Sequence, residues 1–471
     1  MNDEKPREIA VKVLLKRLSG SDYVENLLDQ ALAQSRLSSA DRGLCQELVY
    51  GVARWQLTLD WLIERKTPGR TQKPMLQSLL RLGLYQIFWL DRIPNHAAVH
   101  ETVEQAKRNG FGPQAGFVNA ILRGYLREFD ATRQLLEDLK NTQPHIGYSH
   151  PQWLVDRWTK RWGVEKTAQL LEWNNTPPKT YARINSLMFG KDALASTAAG
   201  RLAVANSGRQ VIPSSVGRPF LERTFKDAGD VLAQWRDEGI EYDFVRKGWL
   251  VENLMFELKS HPPLAKLASF QRGLFYVQDP STLLAVNELD PQPGETILDL
   301  CAAPGGKTTY MAQRMENRGK IVAHDNSPDR LKMIRENCSR LGVTCVETVG
   351  ELSGPGFSTQ NPTFDRILID APCSNTGVMR RRVDLRWRIR PEEIDRLRST
   401  QLELLNRATR FLKPGGTVVY STCSLEPEEN GELVDRYLET SPKLQKVLEL
   451  QLLPPKDCLD GAYATVLQLE R

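Results

Sequence analysis

The strongest constraint on the fold lies in the last 200 residues, where short apolar runs alternate with helical stretches. The runs are Thr296–Leu300, Lys320–His324, 365–369 and 417–421, and helical patterns over 328–341 and 391–412 separate them. Strands that recur with intervening helices predict a parallel sheet covered by helices on both faces. From about Phe270 onward, this reads as a doubly wound α/β domain.

The preceding residues have a different pattern. In residues 1 to about 130, apolar side chains recur at helical spacing, as in Ile9, Val13, Leu14 and Leu18, and in Leu76, Leu79, Leu80, Leu82 and Leu84. Breaks fall at Pro68-Gly69, Pro94-Asn95 and 110–113. Ser38 or Ser39 is a candidate N-cap, and six or seven helices are expected. A polar stretch, 141–151, leads to a helix carrying Trp153, Trp158 and Trp162. Residues 179–267 mix β-like runs such as Thr180–Ile184 with helical ones such as 187–199, which suggests a small α+β domain. The expected organisation is an all-α domain over 1–135, linker helices with a small α+β domain over 136–268, and the α/β domain over 269–471.

Composition excludes several classes. The chain has 471 residues, 41% hydrophobic and 26% charged, which is ordinary for globular protein. A run of 18 apolar residues is absent, so no membrane partner is expected, and the N-terminus does not read as a signal peptide. A net charge of +5 permits a nucleic-acid partner without requiring one. Seven cysteines at no framework spacing read as reduced thiols in a cytoplasmic protein. A metal is not expected: CxxC does not occur, and Ala97 stands between His96 and His100 where a zinc protease needs Glu.

The first strand runs directly into DLCAAPGGKT (299–308) and then a helix. Small residues at such a turn let backbone approach a ligand at the edge where doubly wound sheets bind one. A Walker A loop would need Gly at position 301, which is Cys, and GxGxxG is absent. A loop for a nucleoside-bearing small molecule remains. Asp325, after the second strand, could accept hydrogen bonds from ribose hydroxyls, and Glu351, past the third, could bind an adenine amino group.

The fourth strand ends in DAPCS (370–374) and the fifth in STCS (421–424). Parallel strands end on one edge, so Cys373 and Cys423 should be neighbours, and a catalytic role for at least one is expected. After these motifs comes RRRVDLRWRIR (380–390), with six arginines against one acid. Its guanidinium groups suit phosphates, and Trp387 could stack on an exposed base.

DLCAAPGGKT, DAPCS and STCS together resemble the RNA cytosine-5 methyltransferases of the Sun/NOL1/NOP2 type. ADRGLCQELVYGVAR (40–54), NHAAVHE (95–101) and FVNAILR (117–123) resemble the NusB fold. The pairing resembles bacterial enzymes acting on small-subunit (16S) rRNA, and the resemblance covers essentially the whole chain. It implies a NusB-like helical domain, an α+β middle domain and a Rossmann-like class I methyltransferase domain, in a monomer.

The resemblance further implies S-adenosylmethionine in the loop of Cys301, Ala302, Ala303, Pro304, Gly305, Gly306 and Lys307, with Asp325, Glu351 and Asp370 as further contacts. It implies Cys423 as nucleophile, whereas DNA enzymes place theirs after Pro and would nominate Cys373. Cys373 would then assist breakdown of the covalent adduct, and Asp370 would act near the base. Two departures stand out: Glu351 replaces the usual Asp, and Asn375 stands where Gly or Ala is common.

Such chemistry suits thiols. C5 of cytosine is a poor nucleophile, and a thiolate added at C6 makes the ring enamine-like. Arg380, Arg381, Arg382, Arg386 and Trp387 are the expected RNA contacts, and the tract around Arg183 and Asn185 could extend that surface. The rival readings are a tRNA or DNA enzyme with the same chemistry and a non-catalytic RNA-binding or antitermination factor.

Overall fold

The computed structural model describes residues 5–20, 22–188, 228–352 and 363–471. The chain forms two compact units, Met1–Pro177 with Val378–Ile389, and Pro178–Gly377 with Arg390–Arg471. No helix among the described residues is long and apolar enough to cross a membrane.

The first unit is helical. Seven helices of ten or more residues occupy its first 127 residues, from Pro6–Ser19 to Ala115–Arg127. Ser38 is the cap of Ser39–Arg54, its hydroxyl accepting the Asp41 amide at 3.1 Å. The expected break at 110–113 is a kink in which Gly110 takes φ +83°. The core comprises Leu48, Leu62, Leu79, Leu80, Leu84 and Leu122, among others, each fully buried. A buried Leu contributes roughly 1.5–3 kcal/mol, so this packing rather than helix propensity holds the unit together. The Trp-rich helix is Gln152–Trp162, and Trp158 is fully buried on it.

The second unit contains two sheets. The smaller is antiparallel, in the order β2-β3-β1-β4, from β1 (Thr180–Ile184), β2 (Glu241–Phe244), β3 (Met255–Ser260) and β4 (Phe275–Val277). Trp235, on the helix Ala228–Asp237, packs edge-on to Phe256 and Phe275. The helical pattern expected over 187–199 falls largely outside the described residues, and Ser186–Met188 is a 3-10 turn.

The larger sheet has seven strands: β5 (Thr296–Leu300), β6 (Lys320–His324), β7 (Val346–Val349), β8 (Phe364–Asp370), β9 (Leu412–Thr422), β10 (Leu444–Leu452) and β11 (Ala462–Leu469). Their order is β10-β11-β9-β8-β5-β6-β7. Strands β5 to β9 run parallel, while β11 pairs antiparallel with both β9 and β10.

Alternate side chains serve opposite faces. Ile297, Ile321, Leu368 and Val419 pack with Tyr310, Met311 and Ile334 from the helices Gly306–Arg314 and Pro328–Arg340. Leu298, Val322, Ile367 and Val418 pack with Leu405 and Val434 from Pro391–Ala408 and Gly431–Glu439. Helices on both faces thus leave the carboxyl edge of the parallel strands as the place for a site.

Candidate active site

Register brings the two cysteine motifs together. On the parallel pair β8–β9, Asp370 is the partner of Ser421, so both chains leave the sheet at the same level. Cys373 follows three residues beyond Asp370, and Cys423 two beyond Ser421. Their sulfurs lie 3.4 Å apart.

A buried carboxylate fixes both loops. Glu429, fully buried in the turn Pro427–Glu429, accepts the Ser374 amide at 2.8 Å and Gln401 Nε2 at 3.1 Å on Oε1. Its Oε2 accepts the hydroxyls of Ser374 and Ser424, the latter at 2.5 Å. The residue after each cysteine is therefore tied to the same carboxylate. Burial raises the Glu429 pKa above the ordinary carboxylate value, against the opposing pull of these hydroxyls.

The two thiols have unequal surroundings. The hydrogen bond with Cys423, followed by burial, holds the Cys373 pKa well above the ordinary thiol value. Cys423 Sγ is half-buried and donates to Asn375 Oδ1 at 3.0 Å. On the other side, Lys307 Nζ donates to Asp370 Oδ2 at 2.7 Å, and Ser421 Oγ donates to Asp370 Oδ1 at 3.2 Å. Burial works to strip the Lys307 proton, but Asp370 outweighs it and keeps the ammonium pKa above the usual lysine value. A fixed cation thus stands at the strand edge that also carries the two thiols.

The loop after β5 turns tightly. Cys301 takes φ +59° and Gly305 φ +98°, and the Ala302 amide donates to His324 O at 3.0 Å. A Cβ on Gly306 would lie 3.1 Å from the Tyr276 ring, so the backbone fits closely there. Beneath the loop, Asp299 Oδ2 accepts the Thr308 hydroxyl at 2.6 Å, while its buried Oδ1 lacks a partner. Burial pushes the Asp299 pKa up to about 7. Asp325, 3% exposed, accepts the Ala303 amide at 3.3 Å and the Ser327 amide at 3.2 Å. Residues 301–307, Asp325 and Asp370 therefore share one sheet edge. An orphaned carboxylate oxygen and a backbone-lined turn fit a ligand with ammonium and hydroxyl donors. Glu351 lies exposed, two residues beyond β7.

The expectation for the arginine run needs correction. Residues Val378–Ile389 belong to the helical unit. There Arg386 is fully buried and donates to the carbonyls of Arg54 (3.3 Å), Ser149 (3.1 Å) and Asn174 (3.0 Å) and to Asn175 Oδ1 (2.9 Å). Trp387 Nε1 donates to Ala53 O at 2.6 Å, and buried Arg380 stacks over Trp173 at 4.2 Å. Asp384 binds Arg17 and Arg388. Arg380 and Arg386 thus fasten this segment to helices and are buried away from any RNA, while Trp387 is half-buried with its indole NH engaged. Arg382 is exposed and Arg381 half-buried.

Arg183 is also internal, not surface. It donates to Gln278 Oε1 and Gly306 O, both at 2.9 Å, and to Thr309 Oγ1 at 3.0 Å, and so ties the small sheet to the helix that begins at the cofactor loop. Asn185 donates to Gly273 O and Leu341 O. The sequence reading missed Glu429, whose only signal was an acid pair soon after STCS. It treated Asn375 only as a departure from pattern. Among the described residues, no cluster of three or more His, Cys, Asp or Glu side chains could hold a metal.

Three family models match the chain: 16S rRNA methyltransferase RsmB/F over residues 286–466, the NusB family over 4–127, and the RsmF/B-like ferredoxin-like domain over 150–200. A probable ribosomal RNA small subunit methyltransferase B of Bacillus subtilis is 34% identical over 458 residues, 96% of this chain and 92% of that one. A protein of Synechocystis with the same description is 35% identical over 436 residues, 92% and 89% of the two chains. The crystal structure of a methyltransferase homolog protein from Pyrococcus horikoshii is similar over 71% of this chain and 99% of its own, with TM-score 0.53 and 26% identity.

Proposed function

The chain belongs to the RsmB/F family of 16S rRNA methyltransferases, and from that premise we propose that it methylates C5 of a cytosine in 16S rRNA through a covalent Cys423 adduct. It is an S-adenosylmethionine-dependent methyltransferase with a NusB-like helical domain and a Rossmann-like catalytic domain. The observation that carries the finer reading is the pair of thiols 3.4 Å apart, at the strand edge that also bears Lys307 and Asp370.

The residues of the loop, with Asp299 and Asp325, fit the bound donor. Bound S-adenosylmethionine supplies an electrophilic methyl on a positively charged sulfur. Cys423 loses its thiol proton to water and its Sγ adds to C6 of the base, which places electron density on C5 for attack on that methyl, the methyl–sulfur bond breaking with its electron pair left on sulfur. In this reading Asp370 holds the ring nitrogen N3 protonated as that density builds. The Lys307 ammonium supplies a fixed positive field beside the forming thiolate.

Release requires a base to take the C5 proton, so that the C5–H electron pair re-forms the C5–C6 double bond while the C6–Sγ pair leaves with the Cys423 sulfur. In this reading Cys373 takes the C5 proton as its own thiol proton passes to the departing Cys423 sulfur, a role supported by the 3.4 Å between the two sulfurs. Chemistry at C5 and C6 needs an unstacked base, so the target lies in a loop or is flipped out. Arg381 and Arg382 are the members of the arginine run we retain as phosphate contacts.

Incubating protein-free 16S rRNA with the enzyme and isotopically labelled donor, then digesting to nucleosides, tests the reading. Label in 5-methylcytidine is the expected result. Label in another nucleoside, or in tRNA in preference to 16S rRNA, would overturn it.

A further inference from the structure

The Asn375 side chain spans the two cysteine loops. Its backbone is left-handed, with φ +57°, which turns the carboxamide back over the site. Nδ2 donates to Cys373 O at 2.6 Å. That bond fixes which end of the amide is which, so the oxygen faces Cys423 Sγ, 3.0 Å away. A carbonyl oxygen only accepts, so the sulfur is the donor and carries its proton in this arrangement.

We propose that Asn375 is a positioning residue, a resting-state clasp that holds Cys423 as an oriented thiol and releases it when the thiolate forms. The inference rests on Cys423 being the nucleophile. A sulfur that donates to an amide oxygen must break that bond before it can attack. The clasp therefore withholds reactivity until the base enters and Asn375 lets go. It also restrains a sulfur that stands 3.4 Å from a second thiol.

Asn375→Gly isolates the side chain, because glycine adopts the left-handed backbone without strain. The experiment compares full-length wild type, Asn375→Gly and Cys423→Ser. Alkylation of Cys423 by iodoacetamide is followed by mass spectrometry of its peptide. In parallel, the S–H stretching band of Cys423 is isolated as the infrared difference between wild type and Cys423→Ser. In Asn375→Gly the alkylation rate is expected to rise about fivefold, the factor one ordinary hydrogen bond is worth. In wild type the band is expected at a lowered, hydrogen-bonded frequency. An unchanged or slower alkylation rate, or a wild-type band at the free-thiol frequency, would overturn the clasp. A merely structural role for Asn375 would not set the S–H frequency. Should Cys423→Ser retain turnover, the nucleophile assignment fails by itself, while the spectrum still decides the thiol–amide bond.

Discussion

Ser374 and Ser424, 50 residues apart, both donate their hydroxyls to one carboxylate oxygen of Glu429, and their Oγ atoms lie 3.0 Å apart. Each serine follows a cysteine, so this buried contact sets the spacing of the two thiols. The pairing of the two thiols is thus held by a fully buried side chain.

Removing the clamp should disable the site without removing a thiol. Glu429→Ala leaves the Ser374 amide, two hydroxyls and Gln401 without their acceptor. The expected cost is about 3 kcal/mol of stability, read from urea unfolding. Methyl transfer should fall at least tenfold while donor binding persists, as measured by isotope transfer and calorimetry. Wild-type transfer in this variant would refute the clamp.

Arginines of one run should separate into two behaviours. Arg386→Ala strips four buried acceptors of their donor and should destabilise the helical unit by about 3 kcal/mol. Arg382→Ala, on the surface, should change stability by under about 0.5 kcal/mol. It should lower RNA affinity and reduce the salt slope of binding by about one. Filter binding over a salt series, beside thermal melts, checks both. Unchanged affinity and salt slope for Arg382→Ala would remove it from the RNA surface.

Asp299 gives a pH dependence with a definite sign. Burial raises its pKa from the ordinary 3.8 to about 7 in the folded chain. The folded state therefore binds this proton more tightly than the unfolded one. The stabilising contribution is complete below the unfolded value and is lost as pH rises through about 7. Asp299→Asn cannot ionise, so its Tm relative to wild type should rise between pH 4 and pH 7. Parallel melting curves across that range would contradict the assignment.

The sequence shows some of this clearly. Strands β5 and β6 match their apolar runs residue for residue, because central parallel strands are buried on both faces. The meeting of Cys373 and Cys423 followed from strand direction alone. Strand β10 was not legible: as an edge strand it exposes Lys446, Val447, Leu448 and Glu449 and shows no buried periodicity. Arg380 and Arg386 were misread because composition cannot distinguish a guanidinium that faces phosphate from one that is buried against the protein's own groups. Glu429 was invisible because its partners, Ser374, Gln401 and Ser424, converge only in the folded chain.

The order of the two thiols in catalysis is also open to single substitutions. Cys423→Ser should abolish transfer, because a hydroxyl is far less acidic and a weaker nucleophile than a thiol. Donor binding, which uses the neighbouring loop, should remain within about twofold of wild type by calorimetry. Turnover at the wild-type rate would refute the nucleophile assignment.

The most direct measurement is denaturing gel electrophoresis of the Cys373→Ala protein after incubation with 16S rRNA and donor. With release impaired, a protein–RNA species that survives denaturation should accumulate, and it should vanish when Cys423→Ser is added. Absence of that species, or its persistence in the double variant, would contradict the account.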